Sequence, residues 1–244
     1  MIELIIVFDN YLGEKGFETG WGYSCLIKRD EEFLLFDTGE DGQKLIKNLQ
    51  RAGLDPTSIS KVVISHAHKD HTGGLKEISG LNLKAEIYVG ASFYEEARRL
   101  LPEAKLYKVS SNPLEIIKGV FVTGELEGPI KETSLAINTK EGLIIITGCA
   151  HPGVKKIIEK TTSEINPKVF ALLGGLHLLH RKREEILDLL TYLESKNFKH
   201  LAPSHCTGDL ALKLFQEHFK DKFLKVGVGT HICWRERDGY ILTL

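Results

Sequence analysis

Short apolar runs that break into polar or glycine-rich segments recur along this chain, and Lys61-Val-Val-Ile-Ser65 followed by His66-Ala-His-Lys-Asp-His-Thr-Gly-Gly74 is the sharpest example. β-Branched runs of this length predict buried strands, because stiff side chains suit a pleated surface and the following glycines stop its continuation. Runs of this kind predict strands at about Leu4–Phe8, Tyr23–Lys28, Glu32–Phe36, Lys61–Ser65, Glu86–Val89, Leu114–Thr123, Ser134–Asn138, Leu143–Thr147, Val169–Leu173, His200–Pro203 and Tyr240–Thr243. Apolar positions three and four apart predict helices at about Gln43–Ala52, Phe93–Leu100, Val154–Glu159, Glu184–Lys196 and Leu210–Phe219. Early strands follow one another as hairpins, whereas later ones alternate with helices. Mixed sheets covered by helices on their outer faces are therefore expected, in an α/β fold. Residues 61–101 and 143–196 share the order strand, polar loop, helix, strand, helix, so a site would collect loops from several strand ends.

No Pro/Ser-rich linker or low-complexity tract divides the 244 residues, which reads as a single domain over 1–244, and 42% apolar residues support a substantial core. Lys and Arg total 32 against 33 Asp and Glu, so a nucleic-acid partner bound through bulk positive charge is not expected. Met1–Phe8 is too short and too acidic for a signal peptide, and no apolar stretch approaches a membrane span. A cytoplasmic protein without a membrane partner is the expectation. Cys25, Cys149, Cys206 and Cys233 are widely spaced, which fits reduced thiols better than a disulfide framework.

Candidate chemistry concentrates where the predicted strands end. His66, His68, Asp70 and His71 place four metal-binding side chains in six positions, more than core packing requires. Imidazole and carboxylate suit borderline divalent ions such as Zn²⁺, and interleaved side chains that face two points suggest two metals. Cys149 and His151 follow the strand at 143–147, and His205 follows the strand at 200–203. Cys149 is either a ligand or a buried inert thiol. Cys206, adjacent to His205, reads as structural because neighbouring side chains diverge. His177, after the twin glycines 174–175, is read either as a group that binds substrate or shuttles a proton, or as a satisfied histidine at a sheet edge. Asp37 is either a brace for a ligand imidazole or an ordinary turn aspartate. Trp21 and Tyr23 line either a substrate mouth or the core. Thr72-Gly73-Gly74 is expected to open a helix whose amides hold a phosphate, while His180, His200, His218 and His231 are expected on surfaces or helices.

His66-Ala-His-Lys-Asp-His71, preceded by Phe36-Asp-Thr-Gly39 and followed by strand-end histidines, resembles the metallo-β-lactamase-fold superfamily over nearly the whole chain. The resemblance implies a four-layer αββα sandwich with a dinuclear metal site along one edge of its two sheets. Thr147-Gly-Cys-Ala-His-Pro-Gly153, Gly174-Gly-Leu-His-Leu178 and Pro203-Ser-His-Cys206 look like the subgroup of 7,8-dihydropterin-6-methyl-4-(β-D-ribofuranosyl)aminobenzene-5′-phosphate synthases and related metal-dependent hydrolases. Against the general superfamily pattern, residues 123–134 lack a histidine and Cys149 stands at an aspartate position, with His151 as the substitute ligand.

The resulting expectation assigns His66, His68 and His151 to one metal and Asp70, His71 and His205 to the other, with hydroxide and Cys149 between them. Asp70 and His177 are the expected catalytic residues. The cofactors are two divalent ions, Zn²⁺ first, with Mn²⁺ or Fe as alternatives. Such a centre keeps a positive formal charge in a partly dry cleft, favouring a small anionic substrate and hydrolysis of a phosphoester or ester by metal-bound hydroxide. The alternative is the pterin-forming transferase of the subgroup, which uses the same metals to join a phosphorylated ribosyl-aminobenzene to a pterin diphosphate.

Overall fold

The first strand, β1 (Ile2–Phe8), lies antiparallel to β2 (Ser24–Arg29), which pairs in turn with β3 (Glu32–Phe36). From β3 onward the pairing is parallel, through β4 (Lys61–Ile64), β5 (Glu86–Gly90) and β6 (Lys105–Val109). The computed structural model describes residues 1–234 and 241–243. Contacts divide the chain into two compact units, one of residues 1–110 with 226–244 and one of residues 111–225.

In the first unit α1 (Gly42–Arg51), α2 (Lys69–Thr72), α3 (Leu75–Leu81) and α4 (Tyr94–Leu100) connect the parallel strands. On the other side of β1 the sheet continues antiparallel through β13 (His231–Trp234) and β14 (Ile241–Thr243), giving the order β14-β13-β1-β2-β3-β4-β5-β6. Leu45 and Leu49 of α1 and Ile78 of α3 are buried against Leu35, Val62 and Ile87, so the helices cover the sheet through the apolar stripe that the sequence displays.

The second unit follows the same plan, antiparallel strands first and parallel strands after. β7 (Leu114–Ile117), β8 (Val120–Val122), β9 (Leu135–Asn138) and β10 (Leu143–Thr147) are antiparallel, whereas β10, β11 (Val169–Gly175) and β12 (His200–Ser204) are parallel. Helices α5 (Val154–Glu164), α6 (Arg183–Ser195) and α7 (Asp209–Phe219) bury Ile157, Ile158, Ile186, Leu193 and Phe215 in a second core with Ile145 and Leu172. Both sheets are thus mixed and helix-covered, as the run pattern predicts. In an α/β sheet the carboxyl ends of parallel strands are where functional loops gather, and β3, β4, β10, β11 and β12 are such strands.

Some expectations need correction. The single strand expected over 114–123 is a hairpin, because Gly119 takes a left-handed conformation (φ +73°) that an extended run cannot contain. The strand expected at Tyr240–Thr243 is present as Ile241–Thr243, while Tyr240 lies outside the described residues. Strands β6 and β13 were not expected, since β6 buries only Leu106 and Val109 and β13 alternates buried with half-buried positions over four residues. His231 accordingly sits in a strand and not in a helix, and His200 opens the expected strand β12; both are half-buried. No helix among the described residues is long and apolar enough to cross a membrane.

Candidate metal centre

In the first unit a buried aspartate organises the histidine cluster. Asp37, directly after β3, takes a left-handed backbone conformation (φ +60°) and is fully buried. Its Oδ1 accepts the Ser65 N–H at 2.7 Å, and its Oδ2 accepts the Ser65 hydroxyl at 2.8 Å and faces His71 Nδ1 at 2.7 Å. A carboxylate only accepts, so His71 carries its proton on Nδ1 and presents Nε2 as the ligand nitrogen. The same logic extends through Ser65: its one hydroxyl proton goes to Asp37, so its oxygen accepts from His66 Nδ1, 2.9 Å away. His66 therefore also presents Nε2, and that atom lies 3.1 Å from His68 Nδ1. Asp70 brings Oδ2 to 3.7 Å from His71 Nε2.

The short helix α2 that carries Asp70 and His71 is fastened by its own carbonyls. Tyr23 N–H donates to Asp70 O at 3.2 Å, while Thr38 donates to His71 O from both its amide and its hydroxyl. Tyr23 is fully buried and belongs to the core, whereas Trp21 is 44% exposed. Of the amides expected to cradle a phosphate at 72–74, two are already used: Thr72 N–H donates to His68 O, and Gly73 N–H donates to Gly39 O and Lys69 O.

In the second unit, loops from β10, β11 and β12 gather the remaining candidates. Thr147 Oγ1 contacts the carbonyls of Leu173 and Gly175 at 3.1 and 2.7 Å, which ties the end of β10 to that of β11. Beyond it, Cys149 and Ala150 donate their N–H groups to Glu132 Oε1, both at 2.9 Å, and His151 donates to Oε2 at 2.8 Å. Glu132 is 1% exposed and is held in place by reciprocal backbone bonds with Leu126. Sequence reasoning missed it: a glutamate in a polar loop carries no periodicity that separates it from a solvated one.

Ligand atoms of Cys149, His151 and His177 all lie within 4.8 Å of one another, and so do those of Cys149, His205 and Cys206. His177, an exposed residue, holds its ring 4.2 Å from that of His151 at a tilt of 53°, so it stands among the candidate ligands instead of apart from them. Cys206 ties the loops together. Its sulfur accepts the His177 N–H at 3.3 Å and donates to Cys149 O at 3.7 Å, and its carbonyl accepts from Leu178 and Leu179. A Cβ on Gly175 would collide with that sulfur and with Gly148 O, so glycine is required there. Burial alone pushes the Cys206 thiol up, but hydrogen bonds with Cys149 and His177 outweigh it and hold the group well below its ordinary value. The same contact with Cys206 raises His177.

Asp37, Ala150, His177 and His205 are four of the seven non-glycine residues with positive φ among the described residues. Each such conformation costs about 1–2 kcal/mol, and such costs gather where the surrounding bonds fix a functional geometry. Imidazole, carboxylate and thiol donors together suit a borderline divalent ion such as Zn²⁺.

Residues 21–154 match the profile of the metallo-beta-lactamase superfamily. The 7,8-dihydropterin-6-methyl-4-(beta-D-ribofuranosyl)-aminobenzene-5′-phosphate synthase of Methanocaldococcus jannaschii is 28% identical, in an alignment covering 93% of this chain and 95% of that protein. Among solved structures, a metal-dependent hydrolase of the beta-lactamase superfamily is 27% identical and superimposes with a TM-score of 0.80, covering 96% of this chain and 99% of the other. A diphosphatase of the PhnP family, 14% identical, shares the fold at a TM-score of 0.64 with coverage of 96% and 98%.

Proposed function

Because the chain belongs to the metallo-β-lactamase superfamily, we propose that its strand-end donors serve one dinuclear metal centre of an enzyme acting on a small anionic substrate. His66, His68 and His151 would hold one divalent ion, and Asp70, His71 and His205 the other, with Cys149 shared between them. Zn²⁺ is the ion best suited to these donors. When bound, such ions act as Lewis acids on a phosphoryl or carbonyl oxygen and make water acidic enough to react near neutral pH. Asp37 keeps His66 and His71 in the tautomers that present Nε2, and Glu132 fixes the backbone on which Cys149 and His151 ride. His177 would touch the substrate and hand a proton to its leaving group. The observation that carries this reading is the buried Asp37–Ser65 network: a carboxylate that orients two imidazoles toward ligation has no comparable use in a packed core.

Hydrolysis of a phosphoester or ester is one form of the reaction. A second, pterin-forming transfer, is favoured by a specific observation, the likeness to the archaeal synthase over nearly the full length of both chains. Exposed Trp21 would then offer a flat apolar wall. Separate His68→Ala and Asp70→Ala variants test the shared centre through metal content and hydrolysis of bis-p-nitrophenyl phosphate. Loss of metal and at least a hundredfold lower turnover are expected, about the scale of losing a group that acts in the transition state; unchanged metal and turnover in both variants overturn the assignment. Incubation with a phosphorylated ribosyl-aminobenzene and a pterin diphosphate separates the two reactions.

A further inference from the structure

A second group of donors lies on the sheet of the first unit, on strands other than those that end in the histidine cluster. Glu3 on β1 is the antiparallel partner of Cys233 on β13, and Ile5 is the partner of His231. Side chains alternate along a strand, so His231 and Cys233 share one face, and Glu3 stands directly across on that face. His231 Nε2 lies 3.3 Å from Cys233 Sγ and 3.3 Å from Glu3 Oε2. The three ligand atoms are all within 4.8 Å of one another, and all three residues are half-buried. Lys28, opposite Glu3 on β2, brings Nζ to 3.6 Å from Glu3 Oε1.

We propose that Glu3, His231 and Cys233 form a separate site for one borderline divalent cation, with Zn²⁺ as the best match. One oxygen, one nitrogen and one sulfur are the three donor types that ion accepts, and tetrahedral bonds of about 2.0–2.3 Å give donor-to-donor edges of about 3.3–3.7 Å. Both measured 3.3 Å separations fall at that edge length. A carboxylate–imidazole ion pair would need only two of these groups; the thiol at the same distance is the additional observation. Glu3 and His231 also line a pocket of about 210 Å³, walled by Ile5, Leu26, Phe33 and Leu54 with Lys28 at its side. Three protein donors leave a fourth position, which water or a small anion attracted by Lys28 would take. Binding releases the Cys233 thiol proton to solvent and changes no oxidation state. The bound ion would clamp β13 to β1, a link between residues more than two hundred positions apart in sequence.

The test counts metal in the whole protein. Metal-free wild type, His231→Gln, Cys233→Ser and Glu3→Gln are loaded with Zn²⁺, desalted and analysed for metal, with circular dichroism as the check on folding. Wild type is expected to retain one equivalent more than His231→Gln and Cys233→Ser, while hydrolysis of bis-p-nitrophenyl phosphate by the variants is unchanged. Loaded with Co²⁺, wild type is expected to show a sulfur-to-cobalt absorption band that weakens in Cys233→Ser. Equal metal content and equal band intensity in wild type and folded variants would overturn the proposal. Glu3→Gln, the mildest change, keeps the test decisive if the other two misfold: a retained last equivalent counts against the site, and its loss supports it.

Discussion

Glu132 accepts three backbone N–H bonds while almost wholly buried, and its removal strands all three donors. Hydrogen bonds to a charged group each contribute about 1.5–3 kcal/mol. Contributions from bonds to one carboxylate are not additive, and point mutants seldom lose more than about 5 kcal/mol, so Glu132→Ala is expected to destabilise the protein by about 3–5 kcal/mol in urea denaturation. Glu132→Gln should lose less, since its amide oxygen can still accept from Cys149 and Ala150 while its NH₂ opposes the His151 N–H. Equal stability of all three proteins would show that the brace is idle. Asp37→Asn offers the matching test in the first unit: an amide nitrogen facing His71 disturbs the tautomer, and metal affinity by chelator competition should fall about 10–100-fold. The histidine cluster was legible in the sequence because four ligands are adjacent there, and Asp37 was legible as one of two alternatives. Glu132 was not, since its role depends on a loop closed by Leu126 and on amides seventeen to nineteen positions away.

Strands read well from the sequence where both faces are buried, as in β4 and β10, because β-branched runs then have no polar interruptions. They read poorly at β6 and β13, whose partial exposure admits Lys, Tyr and His and erases the run. β12 carries a titrating residue with it. Burial, and then Lys199, lower the pKa of His200 from its ordinary 6.5, and its ring packs 5.2 Å from that of Phe170. The folded protein therefore resists protonation at a position where the unfolded chain accepts it. Stability should fall as pH drops below about 6.5 through the lowered value, and it should be indifferent to this group above that range. A His200→Asn variant is expected to flatten that part of a stability-against-pH curve relative to wild type; parallel curves would contradict the assignment.

At the scale of the molecule, two helix-covered mixed sheets supply strand ends, and the metal ligands proposed on them should couple binding to folding. Metal removal by a chelator is expected to lower the melting temperature, since an ion at about a thousand times its dissociation constant contributes about 4 kcal/mol; an unchanged melting curve would argue that the donors hold nothing. Run order predicted mixed sheets, and the family resemblance two of them, but neither showed how the first is completed, because β13, which pairs with β1, follows the whole second unit in sequence. That insertion has a consequence for biosynthesis. Residues 111–225 leave the ribosome as an uninterrupted block, able to collapse while β1 still presents an open edge awaiting residues 231–234. A nascent chain stalled in this interval would expose an unpaired ribbon rich in isoleucine, the kind of edge that seeds intermolecular pairing.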